Sequence, residues 1–446
     1  RKKSVCILEQ ADHLGGMAAP SAEDATRLAH LLYNLSPVVR RDIGLKKDDW
    51  PFKQKPVRSV SLCPKGDHVV VNGATVGFAD GTAHPAENAF RDLTRRLTTY
   101  SALLRALAEG APPGFDAPLH TKASLAQLAR LGRFGLNVKR LGKSDMRRFF
   151  QVLLSNAYDL ILDEMEDGPL AGLLAADAVR GTALGPRSPG TVFSLMYRMG
   201  HGGTPTVPIG GMATVVNSFA DAAVTAGCTI RHGIAVSRIL TDGDAVCGVE
   251  LKDGTQTLAP LVLTSTGPQQ ACALTGHAHF DIETTTRTRH IRARGTVAKV
   301  NLRLSELPRI PGLSVDQMAA RWIVAPSAEA VEASFNPVKY AEMSDAPVIE
   351  ALLPALIDPG QTRADGTHAL SAIVQYAPYD LIGGWTADAK ERLLQATLKT
   401  LANVAPDLPG TVVEAEVISP RDIEAQTGAP GGHWHHAEIS LDLSLI

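Results

Sequence analysis

The sequence is short of several features that would narrow its function at once. It has five cysteines (Cys6, Cys63, Cys228, Cys247, Cys272), an odd number, widely spaced and without a C-x-x-C pair. That excludes a disulfide framework and a cysteine zinc site, and it fits reduced thiols in a bacterial cytoplasm or a mitochondrial matrix. No apolar run reaches the roughly 18 residues of a membrane-spanning helix. Net charge is scarce too: 44 Lys and Arg against 46 Asp and Glu leave −2, which favours neither a nucleic-acid binder nor an acidic scaffold. There is no internal repeat, no low-complexity segment and no signal-peptide pattern. No Ser-His-Asp or paired-carboxylate constellation has convincing spacing. No G-x-G-x-x-G follows a strand-like run either. The glycines of Met199-Gly200-His201-Gly202-Gly203-Thr204-Pro205 run into a proline, and no helix starts there. What remains is 446 residues, 45% hydrophobic and 20% charged. That composition is globular, with chain enough for one large domain or two ordinary ones.

The most informative stretch is Glu9 through Gly16, an E-x5-GG pattern directly after Ser4-Val5-Cys6-Ile7-Leu8. The apolar run reads as a buried parallel strand ending in a carboxylate. A carboxylate there accepts hydrogen bonds from a ribose 2′-OH in dinucleotide folds, and two glycines beyond it let the backbone approach a pyrophosphate. Such a fold places its glycine fingerprint about 20 residues before the acid, yet only eight residues precede Glu9. The sequence therefore reads as starting after the first strand and helix, with Arg1-Lys2-Lys3 the end of a loop. On that reading the strand at 4–9 has a gap or exposed apolar side chains beside it, and FAD is held poorly or not at all.

Further along, Val57–Leu62, Val69–Val71 and Ala74–Phe78 read as strands, with Asn72-Gly73 as a hairpin turn. Residues 85–200 read as helical. The clearest case runs from Ser144, with Ser144 and Asp145 as caps and Met146, Phe149, Phe150, Leu153, Leu154, Ala157, Leu160 and Ile161 at helical spacing. Thr182–Thr191 is a Gly/Pro loop. Pro208–Met212 turns into a helix that Gly227 ends. Short strands follow at 228–231, 235–241 and 246–251 as a meander, and Pro260–Ser265 reads as a final buried strand. Beyond 280 come longer strands at 296–304, 320–325, 347–353, 369–376 and 411–419, with helices near 327–342 and 386–404.

Six stretches in this order resemble the phytoene-desaturase-like flavin oxidoreductases of the flavin amine oxidase superfamily. Within them the likeness is to the pyridine nucleotide-disulfide oxidoreductase domain-containing group. The stretches are Ile7–Gly16, Gly181–Thr191, Pro208–Met212, Ile230–Pro268, Gln375–Tyr379 and Gly431–Glu438. The likeness departs at both ends, where the family carries its glycine fingerprint and a C-terminal flavin-facing segment.

The resemblance implies an α/β plus α+β protein. A discontinuous Rossmann-like FAD-binding domain (1–56 and 205–275) would join a mixed-sheet and helical substrate domain (57–204 and 276–446). It implies FAD as cofactor and hydride removal from a C–C or C–N bond of a hydrophobic or amine small molecule. A flavin-dependent isomerase and a non-catalytic partner-binding protein are the alternatives. It also implies that Glu9 binds adenosine ribose, Gly15 and Gly16 the pyrophosphate, Val236 the adenine through its backbone, and Ser265, Thr266 and Gly267 the ADP half. Facing the reacting centre are Lys299, which on a two-residue period shares a face with Asn301 and Arg303, and Trp434 with His435. The alternative for Lys299 is a solvated strand face. His433 and His435 would point the same way on a strand, but no third ligand is spaced to complete a metal site.

Residues 121–150 carry eight Lys or Arg (122, 130, 133, 139, 140, 143, 147, 148) against Asp145 alone, with Leu125, Leu128, Leu131, Phe134, Leu136 and Leu141 interleaved. They read as a solvated helical cap with buried leucines. The competing reading is peripheral contact with an anionic membrane and a lipid-like substrate. Arg287, Arg289, His290, Arg292 and Arg294 read as a solvated face.

Overall fold

Alternating apolar and polar residues in the later strands build one sheet with two unlike faces. The computed structural model describes residues 3–19, 27–33, 35–43, 53–108, 122–200 and 203–439. Its strands are β1 (Val5–Leu8), β2 (Gln54–Pro56), β3 (Ser59–Ser61), β4 (Val69–Asn72), β5 (Thr75–Phe78), β6 (Thr206–Pro208), β7 (Cys228–Arg231), β8 (Val236–Asp242), β9 (Ala245–Leu251), β10 (Gln256–Leu258), β11 (Val297–Leu304), β12 (Arg321–Val324), β13 (Val348–Leu352), β14 (His368–Gln375) and β15 (Val412–Ile418). Eight of these form a mixed sheet in the order β15-β11-β14-β13-β12-β3-β4-β5. Only β3 and β12 run parallel; the other neighbours are antiparallel. The early hairpin thus joins the late strands, with Gly73 at φ 60 supplying its turn.

One face of this sheet is apolar. Val60, Val300, Trp322, Ile349, Ala372 and Val374 are buried in one cluster with Leu393 and Leu401 of the helix Ala387–Ala402. The residues one step out of phase are mostly polar: Ser59, Lys299, Arg321, Glu350, Ser371 and Gln375, all buried. The helix Pro169–Val179 covers that second face, and it comes very close. A Cβ on Gly172 would sit 2.0 Å from the Ala325 carbonyl oxygen, so only glycine fits.

A smaller assembly stands apart in sequence. β1 pairs with β7 in parallel, Val5 opposite Cys228 through Leu8 opposite Arg231. β7 is β1's one partner among the described residues, and Val5 and Ile7 are 45% and 36% exposed. The expected meander is redistributed. β7 leaves it for β1, and β8, β9 and β10 form their own antiparallel sheet. Residues 261–265 form no strand. Leu261 and Leu263 are 63% and 88% exposed, because an apolar run becomes a strand only where a neighbour supplies ladder hydrogen bonds.

The helical stretch is present, with two corrections. The helix Lys143–Leu154 is capped by Gly142, not by Ser144 or Asp145. The apolar stripe running on to Ile161 is cut at Asn156, whose side chain accepts from the Asp159 N–H and starts the helix Ala157–Leu162. The cations Arg287, Arg289 and His290 are exposed on the helix Ile282–His290.

Candidate active site

The polar face of the large sheet and the helix covering it enclose a buried charge network. Lys299 has no exposed surface, so the solvated-face reading is corrected. The segment Arg27–Tyr33 lies across this face and removes it from water: Asn301 donates to the Arg27 carbonyl at 3.0 Å. Lys299 Nζ donates to Ser371 Oγ at 2.5 Å and to His30 Nδ1 at 3.2 Å. With Nδ1 accepting, His30 Nε2 carries the proton and donates to Glu350 Oε1 at 3.0 Å. Arg180 grips Glu350 with two groups, Nη2 to Oε1 at 2.7 Å and Nε to Oε2 at 3.0 Å. Arg321 Nε adds a bond to Oε2 at 2.8 Å. Arg198 and Arg321 both pair with Asp177 at the end of the covering helix.

Burial alone would raise the Glu350 carboxyl, but Arg180, Arg321 and the His30 hydrogen bond outweigh it and hold it well below the ordinary value. Burial and then Lys299 push the His30 imidazole down to about 3, so at neutral pH it is uncharged. A cavity of about 20 Å³, roughly one water's worth, lies between Arg180, Arg321, Glu350 and Gln375.

Arg180 links this network to the C-terminal candidates. Its guanidinium lies 4.9 Å from the Tyr33 ring centroid and 5.5 Å from that of Trp434. Its carbonyl accepts from His435 Nε2 at 3.1 Å. Burial lowers His435 to about 3 against that hydrogen bond. The expected strand at 433–435 is a turn, bent where Gly432 and His436 have φ 59 and 61, so the two imidazoles do not align as strand neighbours. His433 instead donates from Nε2 to Glu438 at 3.1 Å, and Glu438 accepts from the Ala183 N–H at 2.8 Å. Among the described residues, Trp434 Nε1 and Glu438 Oε2 are buried without a hydrogen-bond partner. Lys299, Trp434 and His435 are therefore gathered around one charge network.

The other candidates converge at the carboxyl end of β1. Glu9 is half-buried and accepts from the Ala11 N–H at 2.9 Å. Its carbonyl accepts from the Ile234 N–H at 2.8 Å, which ties it to the approach to Val236. Leu8, Ile234, Val236 and Val262 share one apolar cluster, bringing the segment before Ser265–Gly267 to the same end. Ser265 and Thr266 are exposed, and Gly267, at φ 87, begins the helix Pro268–Thr275. Gly15 has φ 115, and a Cβ on it would meet Val216 at 2.8 Å. The turn also touches the segment that carries His30, because the Met17 carbonyl accepts from the Ala29 N–H.

Sequence reasoning missed His30, Arg180, Arg321, Glu350 and Ser371. A signal existed for two of them, because Arg321 and Glu350 interrupt otherwise apolar strands. His30 lies in a segment without periodicity. His30 and His435 have folded values near 3 against an ordinary 6.5. Below about pH 6.5 the unfolded chain binds protons that the fold does not. Stability is then full above that pH and falls as pH drops toward 3; Glu350 adds to the loss in the acid range. Denaturant midpoints at about pH 7.5 and about pH 5 should differ less in a His30→Gln, His435→Gln variant than in the parent. An unchanged difference would show that these imidazoles are not held neutral.

The comparisons with known proteins agree with this architecture. The model of the family "flavin containing amine oxidoreductase" matches residues 60–424. The chain belongs to that family and is an FAD-dependent oxidoreductase. It is 24% identical to the rat pyridine nucleotide-disulfide oxidoreductase domain-containing protein 2, over 94% of this chain and 76% of the relative. In fold it is similar to an oxidoreductase from Methanosarcina mazei, at TM-score 0.55 and 14% identity over 93% of this chain and 82% of that one. It is also similar to a variant of putrescine oxidase, at TM-score 0.54 and 14% identity over 96% and 81%. The expected resemblance and cofactor are thereby borne out.

Proposed function

We propose that the protein removes a hydride from a C–C or C–N bond of a small hydrophobic or amine molecule. The observation that carries the reading is the burial of Lys299 on the polar sheet face, within a network that the chain joins to the Gly15-Gly16 turn. The residues present suit the adenosine end of FAD. Glu9 offers a half-buried carboxylate at a parallel strand's end, and Gly15 holds a conformation and a closeness that a side chain would spoil. On this reading Glu9 binds the ribose, Gly15 and Gly16 line the pyrophosphate, the Val236 backbone meets adenine, and Ser265, Thr266 and Gly267 flank the ADP half. When bound, the flavin supplies the hydride acceptor.

The chain's own residues do the rest. Lys299 orients a polar group or a water at the reacting end, while His30 and Ser371 fix its Nζ. Trp434 and His435 wall the site against water, and Arg180 holds that wall to the sheet. The parallel β1–β7 pair and the β8–β10 sheet support a discontinuous Rossmann-like cofactor domain (1–56 and 205–275) beside a substrate domain (57–204 and 276–446). The five cysteines are all free, which suits a reducing compartment such as a bacterial cytoplasm or a mitochondrial matrix. Among the described residues, no helix is long and apolar enough to cross a membrane.

Charge bears on the substrate. Arg180, Arg198 and Arg321 outnumber Asp177 and Glu350, and an excess of buried cations disfavours an ammonium group. The C–C reading is therefore preferred. Anaerobic mixing with neutral hydrophobic compounds and with amines tests it, through loss of oxidised-flavin absorbance. Bleaching by amines alone at neutral pH would reverse the preference.

Glu9→Ala tests the cofactor end. One lost charge-assisted contact is worth about 1.5–3 kcal/mol, roughly ten- to hundredfold in affinity. The variant should fold and lose flavin on dialysis. Full retention would remove Glu9 from the ribose site.

A further inference from the structure

The helix Lys122–Arg140 leaves an apolar stripe uncovered. Leu125, Leu128 and Leu136 are 56%, 47% and 47% exposed, and Ala129 and Gly132 between them are exposed as well. At helical spacing these five positions fall within an arc of about 100°. The opposite side of the same helix meets the core through Phe134 and Val138. The expectation that these leucines are buried is thus corrected for three of them. Exposed Arg133, Lys139 and Arg140 flank the stripe. The next helix repeats the arrangement: Phe150 and Leu154 are 46% and 68% exposed, and exposed Lys143 and Arg147 lie on their side by helical spacing.

We propose that this surface docks on an anionic lipid bilayer, with the leucines entering the interface and the cations meeting headgroups. Charge selects the occupant. Arg133, Lys139, Arg140, Lys143 and Arg147 are exposed beside the stripe, and Asp145 is the one acid within 122–150, so the complementary surface is anionic. A second copy of this chain is disfavoured, because a two-fold contact would set like charges against each other. A specific protein partner normally finds a pocket or groove for its anchors. Here single exposed leucines are spaced by exposed Ala129 and Gly132 along one helix face, which suits a fluid surface that requires no register. The inference is independent of the substrate and of the roles given to Lys299 and Glu9.

The test is flotation of the full, flavin-loaded chain with vesicles of phosphatidylcholine alone or with about one third phosphatidylglycerol. Binding should be at least about tenfold stronger on the anionic vesicles and should fall steeply with salt. Leu125→Gln, Leu128→Gln, Leu136→Gln should weaken it severalfold, as should Arg133→Glu with Lys139→Glu and Arg140→Glu. All six positions are exposed, so flavin content and melting temperature should not change. Equal binding to both vesicle types, or none, overturns the proposal. So does anionic binding that the leucine variant leaves intact, since the stripe would then not insert. Concentration-dependent self-association abolished by the leucine variant, without vesicle binding, would assign the stripe to a second copy. Vesicle-free capture of a polyacidic protein, lost in both variants, would assign it to a protein partner.

Discussion

Replacing Glu350 by Gln is expected to destabilise the folded protein by about 3–5 kcal/mol. The carboxylate is buried and receives Arg180 on both oxygens, Arg321 on one and His30 on the other. Gln keeps the volume but removes the charge, so Arg180 is left in the interior without its counter-ion. Arg321 retains Asp177, which makes Arg180 the main source of the loss. Urea unfolding of the flavin-loaded protein measures it. Adding Arg180→Met to the Gln variant should restore part of the stability, because the two sites share one interaction and their effects are not additive. A loss below about 1 kcal/mol, in the range of surface ion pairs, would mean that the network is hydrated and that its charges are not held together.

Replacing Lys299 by Met is expected to slow anaerobic reduction of the flavin, by whichever compound bleaches the parent, by about two to three orders of magnitude, the usual effect of removing one aligned donor from a water-poor site. Flavin content should stay near that of the parent, since Glu9 and the Gly15-Gly16 turn lie at the other end of the proposed cofactor site. Met keeps the length and apolar stem of Lys, and His30 and Ser371 keep each other at 2.9 Å, so the effect is on charge and donation more than on packing. Flavin reduction at the parent's rate with full flavin content would place Lys299 in a purely structural role and withdraw it from the reacting centre.

Much of the secondary structure was legible. The five late strands lie within one or two residues of their expected limits, because their apolar and polar residues alternate and turn residues bound them. The Asn72-Gly73 hairpin and the helix Met212–Thr225 with Gly227 after it were legible for the same local reason. Pro260–Ser265 shows where local reading stops. Its composition is that of a strand, but strand formation depends on a neighbour that composition does not reveal. The break at Asn156 lay within an unbroken helical stripe. A single side chain that caps better than it continues divided it.

The sequence by itself determined the family, the order of the elements and the presence of Lys299 as a polar interruption of an apolar strand, with Trp434 and His435 in a late Gly/His-rich stretch. Alternation along β11 put Lys299 opposite the apolar face, and nothing local distinguishes a solvated polar face from a covered one. Only the tertiary structure decided that this face is buried. The segment Arg27–Tyr33 and the helix Pro169–Val179 lie over it and bring His30, Asp177 and Arg180 to Arg321, Glu350 and Ser371 across separations of more than a hundred residues. The same holds in reverse for the helix Lys122–Arg140. Its heptad-like leucines follow a core pattern, but the core contacts only one side of the helix, and Leu125, Leu128 and Leu136 lie on the other. Periodicity specifies which residues share a face. Whether that face meets protein or solvent depends on what packs against it.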